Sequence, residues 1–139
     1  MREILFRGKR LDNGEWVEGA FLNDRDGAFC ICPAVSDISY GDSGNRRRIG
    51  CWYKVDPSTV GQYTGLKDKH GKKIFEGDIL LLDDIKGIVN YGTGCFCVKL
   101  PSPDYLYRNN PAIDMVLNEY PGLEIIGNAH DNPEIIDKE

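Results

Sequence analysis

"TGLKDKHGKKIFEGDIL", residues 64–80, alternates turn chemistry with short apolar runs. Lys67-Asp68-Lys69-His70-Gly71 reads as a turn between two β-like arms, since Gly tolerates positive φ and Asp folds back onto its own backbone. KKIF then meets a second change of direction, Glu76-Gly77-Asp78, and runs into the apolar ILLL. That run has no alternation, so its strand is expected to be covered on both faces. The stretch carries no nucleophile, metal cluster or phosphate loop. Its specification reads as structural: Gly65, Gly71 and Gly77 punctuate three changes of direction. Tyr63, Ile74, Phe75, Ile79 and Leu81 supply apolar surface between them.

Strand signals dominate on either side. EILFRGK (3–9) and EWVEGAFL (15–22) flank Asp12-Asn13-Gly14, a hairpin turn sequence. GAFCIC (27–32) is a further strand stopped by Pro33, and IGCWYKV (49–55) another, ended by Asp56-Pro57-Ser58. Residues 35–47 are polar and read as a long loop. Beyond ILLL, Asp83-Asp84 turns the chain into IKGIVNY, and Gly92-Thr93-Gly94 into CFCVKL. PAIDMVLNEY (111–120) is the one helical pattern, with Asn110 as cap, Pro111 at the first position and Ile113, Val116, Leu117 and Tyr120 on one face. LEIIGNAH is a last strand, and 131–139 a polar tail pinned by Ile135-Ile136.

The predicted fold is therefore mainly β with one short helix, in two small β subdomains. Residues 1–56 form a hairpin with further strands. Residues 57–139 hold about five strands with a helical turn before the last, the content of an SH3-like barrel. The chain has 16 glycines in 139 residues, above the typical ~7%, spread as turns rather than as a linker. The net charge of -5 disfavours a polyanion partner on average, though a local basic patch can override it. No apolar run approaches the ~20 residues of a membrane helix, and the start lacks the apolar core of a signal peptide. A cytoplasmic protein with five reduced cysteines and no membrane partner is expected.

Three sets of residues could carry chemistry. Cys30/Cys32 and Cys95/Cys97 form two C-x-C pairs, with Cys51, His70 and His130 as further ligands. Residues i and i+2 of a strand lie ~6.5–7 Å apart, whereas two thiolates on one zinc approach within about 4 Å. The pairs are therefore read as small buried hydrophobes, with no metal and no cofactor. Arg46-Arg47-Arg48 precedes Trp52 and Tyr53, with Tyr40 nearby. Arginines beside aromatic rings are the ingredients of a single-stranded nucleic-acid surface, or of a grip on an acidic protein. Arg7, Lys9 and Arg10 would join if the first hairpin lies close, and Lys67, Lys69, Lys72 and Lys73 make a second basic cluster. Glu76, Asp78, Asp83 and Asp84 sit where turns call for such residues. His130-Asp131 is read as an exposed pair near the tail rather than an acid–base couple. No catalytic set emerges, so an enzyme is not expected.

The chain also resembles a known family. "TVGQYTGLKDKHGKKIFEGDIL" (59–80), "REILFRGKRLDNGEWVEGAFL" (2–22) and "EIIGNAHDNPEII" (124–136) follow one another as in the YopX family. A mild departure is His70, where that family usually has Asn, both residues visiting left-handed φ, and the resemblance is weakest over residues 33–50. The resemblance implies a β-rich protein of phages, prophages and the bacteria carrying them. It implies no particular activity and brings no site residue. The expectation is a non-enzymatic binding or assembly module with a protein partner, and short strand edges with exposed aromatics favour a homo-oligomer; the alternative is a nucleic-acid binder using Arg46–Arg48.

Overall fold

A computed structural model describes residues 3–23, 26–33, 38–40, 47–49, 52–92, 94–100 and 111–137, with 38–40, 47–49 and 136–137 described by backbone. The architecture is mainly β, in antiparallel sheets with few helices. The chain divides into two compact units, Met1–Gln62 and Tyr63–Glu139; the strand pattern had put the boundary after residue 56.

In the first unit, β1 (Phe6–Lys9) and β2 (Trp16–Asn23) pair in the register Phe6↔Gly19 to Lys9↔Trp16. The Asp12-Asn13-Gly14 turn makes the register: Asn13 Oδ1 accepts the Glu15 N–H at 2.9 Å, and the Arg10 carbonyl accepts that of Gly14 at 2.9 Å. β3 (Phe29–Cys32) adds to β2, and β6 (Tyr53–Lys54) to β3. The other edge of β1 takes Gly61 and Gln62 at the start of β7 (Gly61–Lys67). Phe6, Phe21 and Phe29 stack in sequence, with ring centroids 5.5 and 5.1 Å apart. Gly19 is required by packing: a Cβ there would lie 1.9 Å from the Cys32 carbonyl oxygen. Asp56 caps a 3-10 turn at Pro57–Thr59 by accepting the Ser58 N–H.

Two expectations need correction here. The segment 35–47 is not all loop, since β4 (Ile38–Tyr40) pairs with β5 (Arg47–Ile49) in a two-stranded ladder. The run 49–55 is likewise not one strand, for it splits between β5 and β6. Backbone pairing decided both, and a composition-based reading of a polar stretch does not see it.

In the second unit, the rest of β7 pairs with β8 (Lys73–Phe75), with a register shift between Tyr63 and Lys67. β9 (Asp78–Leu82), β10 (Ile85–Gly92) and β11 (Cys95–Lys99) form a meander, and β12 (Glu124–Asn128) returns to the free edge of β9. The order is β11-β10-β9-β12, and among the described residues the sheet does not close into a barrel. Ile79 and Leu80, neighbours on opposite faces of β9, are both fully buried. The ILLL strand is thus covered on both sides, with Leu82 rather than Leu81 completing the core.

α1 (Ile113–Glu119) lays Ile113 and Val116 into a core of Ile74, Leu80, Leu82, Val89, Val98, Leu100 and Leu123, with Leu117 and Tyr120 packed at its margin. Its N-cap is Ala112, which makes no side-chain cap bond, rather than Asn110, which lies outside the described residues. Pro111 precedes the helix because its carbonyl accepts the Val98 N–H of β11 at 2.9 Å. The tail holds a second helix, α2 (Pro133–Asp137), where a polar tail was expected. A proline at its first position costs no hydrogen bond.

Two carboxylates lock the opening segment. Asp78, 2% exposed, accepts the Phe75 N–H at 2.8 Å and braces the turn at Gly77. Asp68 Oδ1 accepts the N–H groups of His70 and Lys72, and Oδ2 that of Ile125 in β12. Burial opposes ionisation of Asp68, but the N–H groups of Ile125, Lys72 and His70 outweigh it and hold the carboxyl below its ordinary pKa.

Gly77 has φ +91°, and its N–H and carbonyl bond Val89 and Ala129. Gly77→Val is expected to cost about 1–3 kcal/mol, read as a lower urea midpoint; an unchanged midpoint would refute the turn strain. For Asp68, a folded pKa below the unfolded one means its contribution is complete above the unfolded value and lost as pH falls through the folded value. Asp68→Asn should destabilise by about 1–3 kcal/mol near neutral pH, and the gap to wild type should narrow in acid. An equal gap in urea titrations at both pH values would rule out an ionised Asp68 as the tie.

Candidate functional site: two basic-aromatic groups on the first unit

Alternation along β1 puts Arg7 and Lys9 on one face, and hairpin register sets Lys9 opposite Trp16. The Arg7 guanidinium carbon lies 4.6 Å from the Trp16 ring centroid, and Lys9 Nζ lies 5.7 Å from it. Both distances lie within the range of cation–π attraction.

Arg10 follows on the opposite face. Its guanidinium sits 3.9 Å over the Tyr53 ring, brought there by the Arg10↔Val55 bridge and the Leu11 N–H to Lys54 carbonyl bond. Asp12 grips the same guanidinium through two bonds, Nε to Oδ1 at 2.9 Å and Nη2 to Oδ2 at 2.7 Å. The hydrogen bond from Arg10 lowers the Asp12 pKa, outweighing the opposing effect of desolvation. The fork of Arg10 is thus already spent on a carboxylate, while its flat face covers the tyrosine. Next to Tyr53 stands Trp52, 49% exposed, and the same unit exposes Leu11 and Ile4, each 63%.

Of the five residues singled out from the sequence, Tyr53 carries Arg10 on the face opposite Arg7, Lys9 and Trp16, and Trp52 is its exposed chain neighbour. Arg47 and Arg48 lie in β5, paired with Tyr40 and Ser39, and Arg46 lies outside the described residues. Of the three basic residues proposed to join them, Arg10 reaches Tyr53, whereas Arg7 and Lys9 engage Trp16. Trp16 was overlooked, although the hairpin turn and strand lengths carry the signal: counting back from Gly14 places Lys9 opposite it.

Two lysines of the second basic cluster, Lys69 and Lys73, meet local partners. Lys69 Nζ and His70 Nε2 meet Glu124 Oε1 at 3.3 and 3.2 Å, and Lys73 lies 5.9 Å from the Tyr63 ring. His70 first, then Lys69, hold Glu124 below the usual carboxylate range. Asp131 Oδ2 accepts from Asn128 Nδ2 at 3.2 Å.

Among the cysteines, Cys30, Cys32 and Cys97 are buried, Cys95 is exposed, and Cys51 lies outside the described residues. The distance argument made from the sequence fails at one pair. Cys95 Sγ and Cys97 Sγ stand 3.7 Å apart. Strand geometry sets the spacing of Cα atoms, but two thiols on one face can lean together by rotation about χ1. Among the described residues no group of three or more His, Cys, Asp or Glu side chains could hold a metal ion. No helix among them is long and apolar enough to cross a membrane.

Comparison with known proteins agrees with the sequence resemblance. A crystal structure of protein EF1440 from Enterococcus faecalis is similar to this chain, with 26% identity, a TM-score of 0.65 and coverage of 98% of this chain and 99% of that one. No curated protein matches. The family described as YopX protein matches residues 5–137, nearly the whole chain. The chain therefore belongs to the YopX family.

Proposed function

We propose that this YopX-family protein is a non-enzymatic binding module that works by protein contact and self-associates into a homo-oligomer. The observation that carries this reading is half-exposed Trp52, the chain neighbour of Tyr53, whose ring carries Arg10. Trp, Tyr and Arg are the side chains that most often dominate contact energy at protein interfaces. Asp12 already neutralises Arg10, which suits a protein surface better than a phosphate backbone. The family likeness supports a phage or prophage origin and a place in the bacterial cytoplasm. The sheet order β11-β10-β9-β12, with α1 leading into β12 and β12 returning to β9, supports assigning this sheet to an SH3-like barrel.

A second reading, nucleic-acid binding by Arg46, Arg47 and Arg48, has one observation in its favour: Arg47 stands opposite Tyr40 in the β4–β5 ladder.

Native mass spectrometry against concentration separates the two. Wild type should be a single oligomer, and Trp52→Ala should weaken it by about tenfold or more, the cost of one interface anchor. A wild-type monomer, or an oligomer indifferent to Trp52→Ala and Leu11→Ser, would overturn self-association through this surface. Anisotropy of labelled single-stranded DNA that falls steeply with salt, and is lost in an Arg46/Arg47/Arg48 triple alanine variant, would establish the second reading instead.

A further inference from the structure

We propose that Cys95 and Cys97 form a redox-active dithiol that closes to an intra-strand disulfide by exchange with a small-molecule disulfide. The pair opens β11 directly after the turn at Gly94, whose φ is +86°. Register sets Cys95 opposite Gly92 and Cys97 opposite Asn90 on β10. The sulfurs are 3.7 Å apart and not bonded, so closure asks for a contraction of somewhat under 2 Å. Cys97 Sγ also approaches the carbonyls of Gly92 and Cys95, each at 3.6 Å, so its thiol is held on the side where Cys95 stands.

The two thiols differ in access. Cys95 is exposed, and Cys97 is 1% exposed. That asymmetry assigns roles. Cys95, as thiolate, attacks one sulfur of a disulfide RSSR, forming Cys95–S–S–R and releasing RS⁻. Cys97 gives up its proton, and its sulfur attacks Cys95 Sγ and expels the second RS⁻. Two protein thiols are oxidised and one RSSR is reduced to two RSH, the proton that Cys95 lost on ionising and the Cys97 proton going to the two departing thiolates.

Two physical arguments favour exchange over the other uses of a thiol pair. A cross-link between residues i and i+2 closes almost no loop, so it adds little stability through the unfolded chain. A bond made across one strand residue is also strained, and strained disulfides are the readily reduced ones. The pair is therefore a reversible site, not a structural staple. A metal would need further ligands, and among the described residues no third His, Cys, Asp or Glu completes such a group. A disulfide needs only the two sulfurs.

The test uses the full chain and oxidised glutathione. Trypsin cleavage after Lys86 and Lys99 releases residues 87–99, which hold both cysteines and no other. After oxidation and alkylation of remaining thiols, this peptide should appear unalkylated and about 2 Da lighter than its reduced form, and should recover on reduction. Cys97→Ser should leave a stable mixed disulfide with glutathione at Cys95, while Cys95→Ser should stay unmodified at Cys97. A wild-type peptide that remains alkylated at both positions, or that stops at the mixed disulfide, would overturn the proposal. So would one zinc per chain, lost in both serine variants, which would make the pair an edge of a metal site.

Discussion

β9 is the strand on which the second unit depends. Ile79 and Leu80 are neighbours on opposite faces, and both are sealed from water. A strand buried on both faces cannot send its backbone groups to solvent, so both of its edges must be paired. β10 meets one edge through a short turn. The other edge waits for β12, which arrives only after the excursion through β11 and α1. The helix fills part of that excursion with Ile113 and Val116, and the core closes over Leu80 and Leu82. The three bonds to Asp68 then fasten the turn after β7 to the incoming β12.

In the first unit the corresponding constraint is close backbone approach. Gly19 lets β2 lie against the Cys32 carbonyl, and Val55 fills the space over Gly8. The three phenylalanines pack on the same side of the sheet as Val17 and Ile31, as their register requires. With one side so occupied, Arg7, Lys9 and Trp16 fall together on the other. The basic-aromatic grouping is thus a by-product of alternation in a hairpin whose turn allows one register.

The pair at Cys95 and Cys97 shows how far a side-chain rotation can depart from a backbone rule. Period-two alternation is a statement about Cα and Cβ positions. The sulfur is one freely rotating bond further out, and two of them turned inward shorten the gap to contact distance. A thiol pair on a strand therefore cannot be dismissed on spacing alone, and its character follows from which of the two sulfurs meets solvent.

The sequence by itself determined what local backbone chemistry controls. Asp12-Asn13-Gly14 and Lys67 to Gly71 are hairpin turns; Glu76-Gly77-Asp78 is a reversal; ILLL is covered twice; Ile113, Val116, Leu117 and Tyr120 share a helix face. Each rests on a φ preference or a periodicity contained within a few residues, and the resemblance to the YopX family rests on the same segments. Tertiary structure decided the rest. Ladder pairing drew Ile38–Tyr40 and Arg47 out of a polar stretch and joined Ile49 to them rather than to Tyr53, because backbone pairing does not depend on composition. Ala112 became the helix cap since Pro111 was claimed by β11. Arg10 went to Tyr53, while Arg7 and Lys9 went to Trp16, as strand faces and registers divided a basic run that reads as one cluster in the chain.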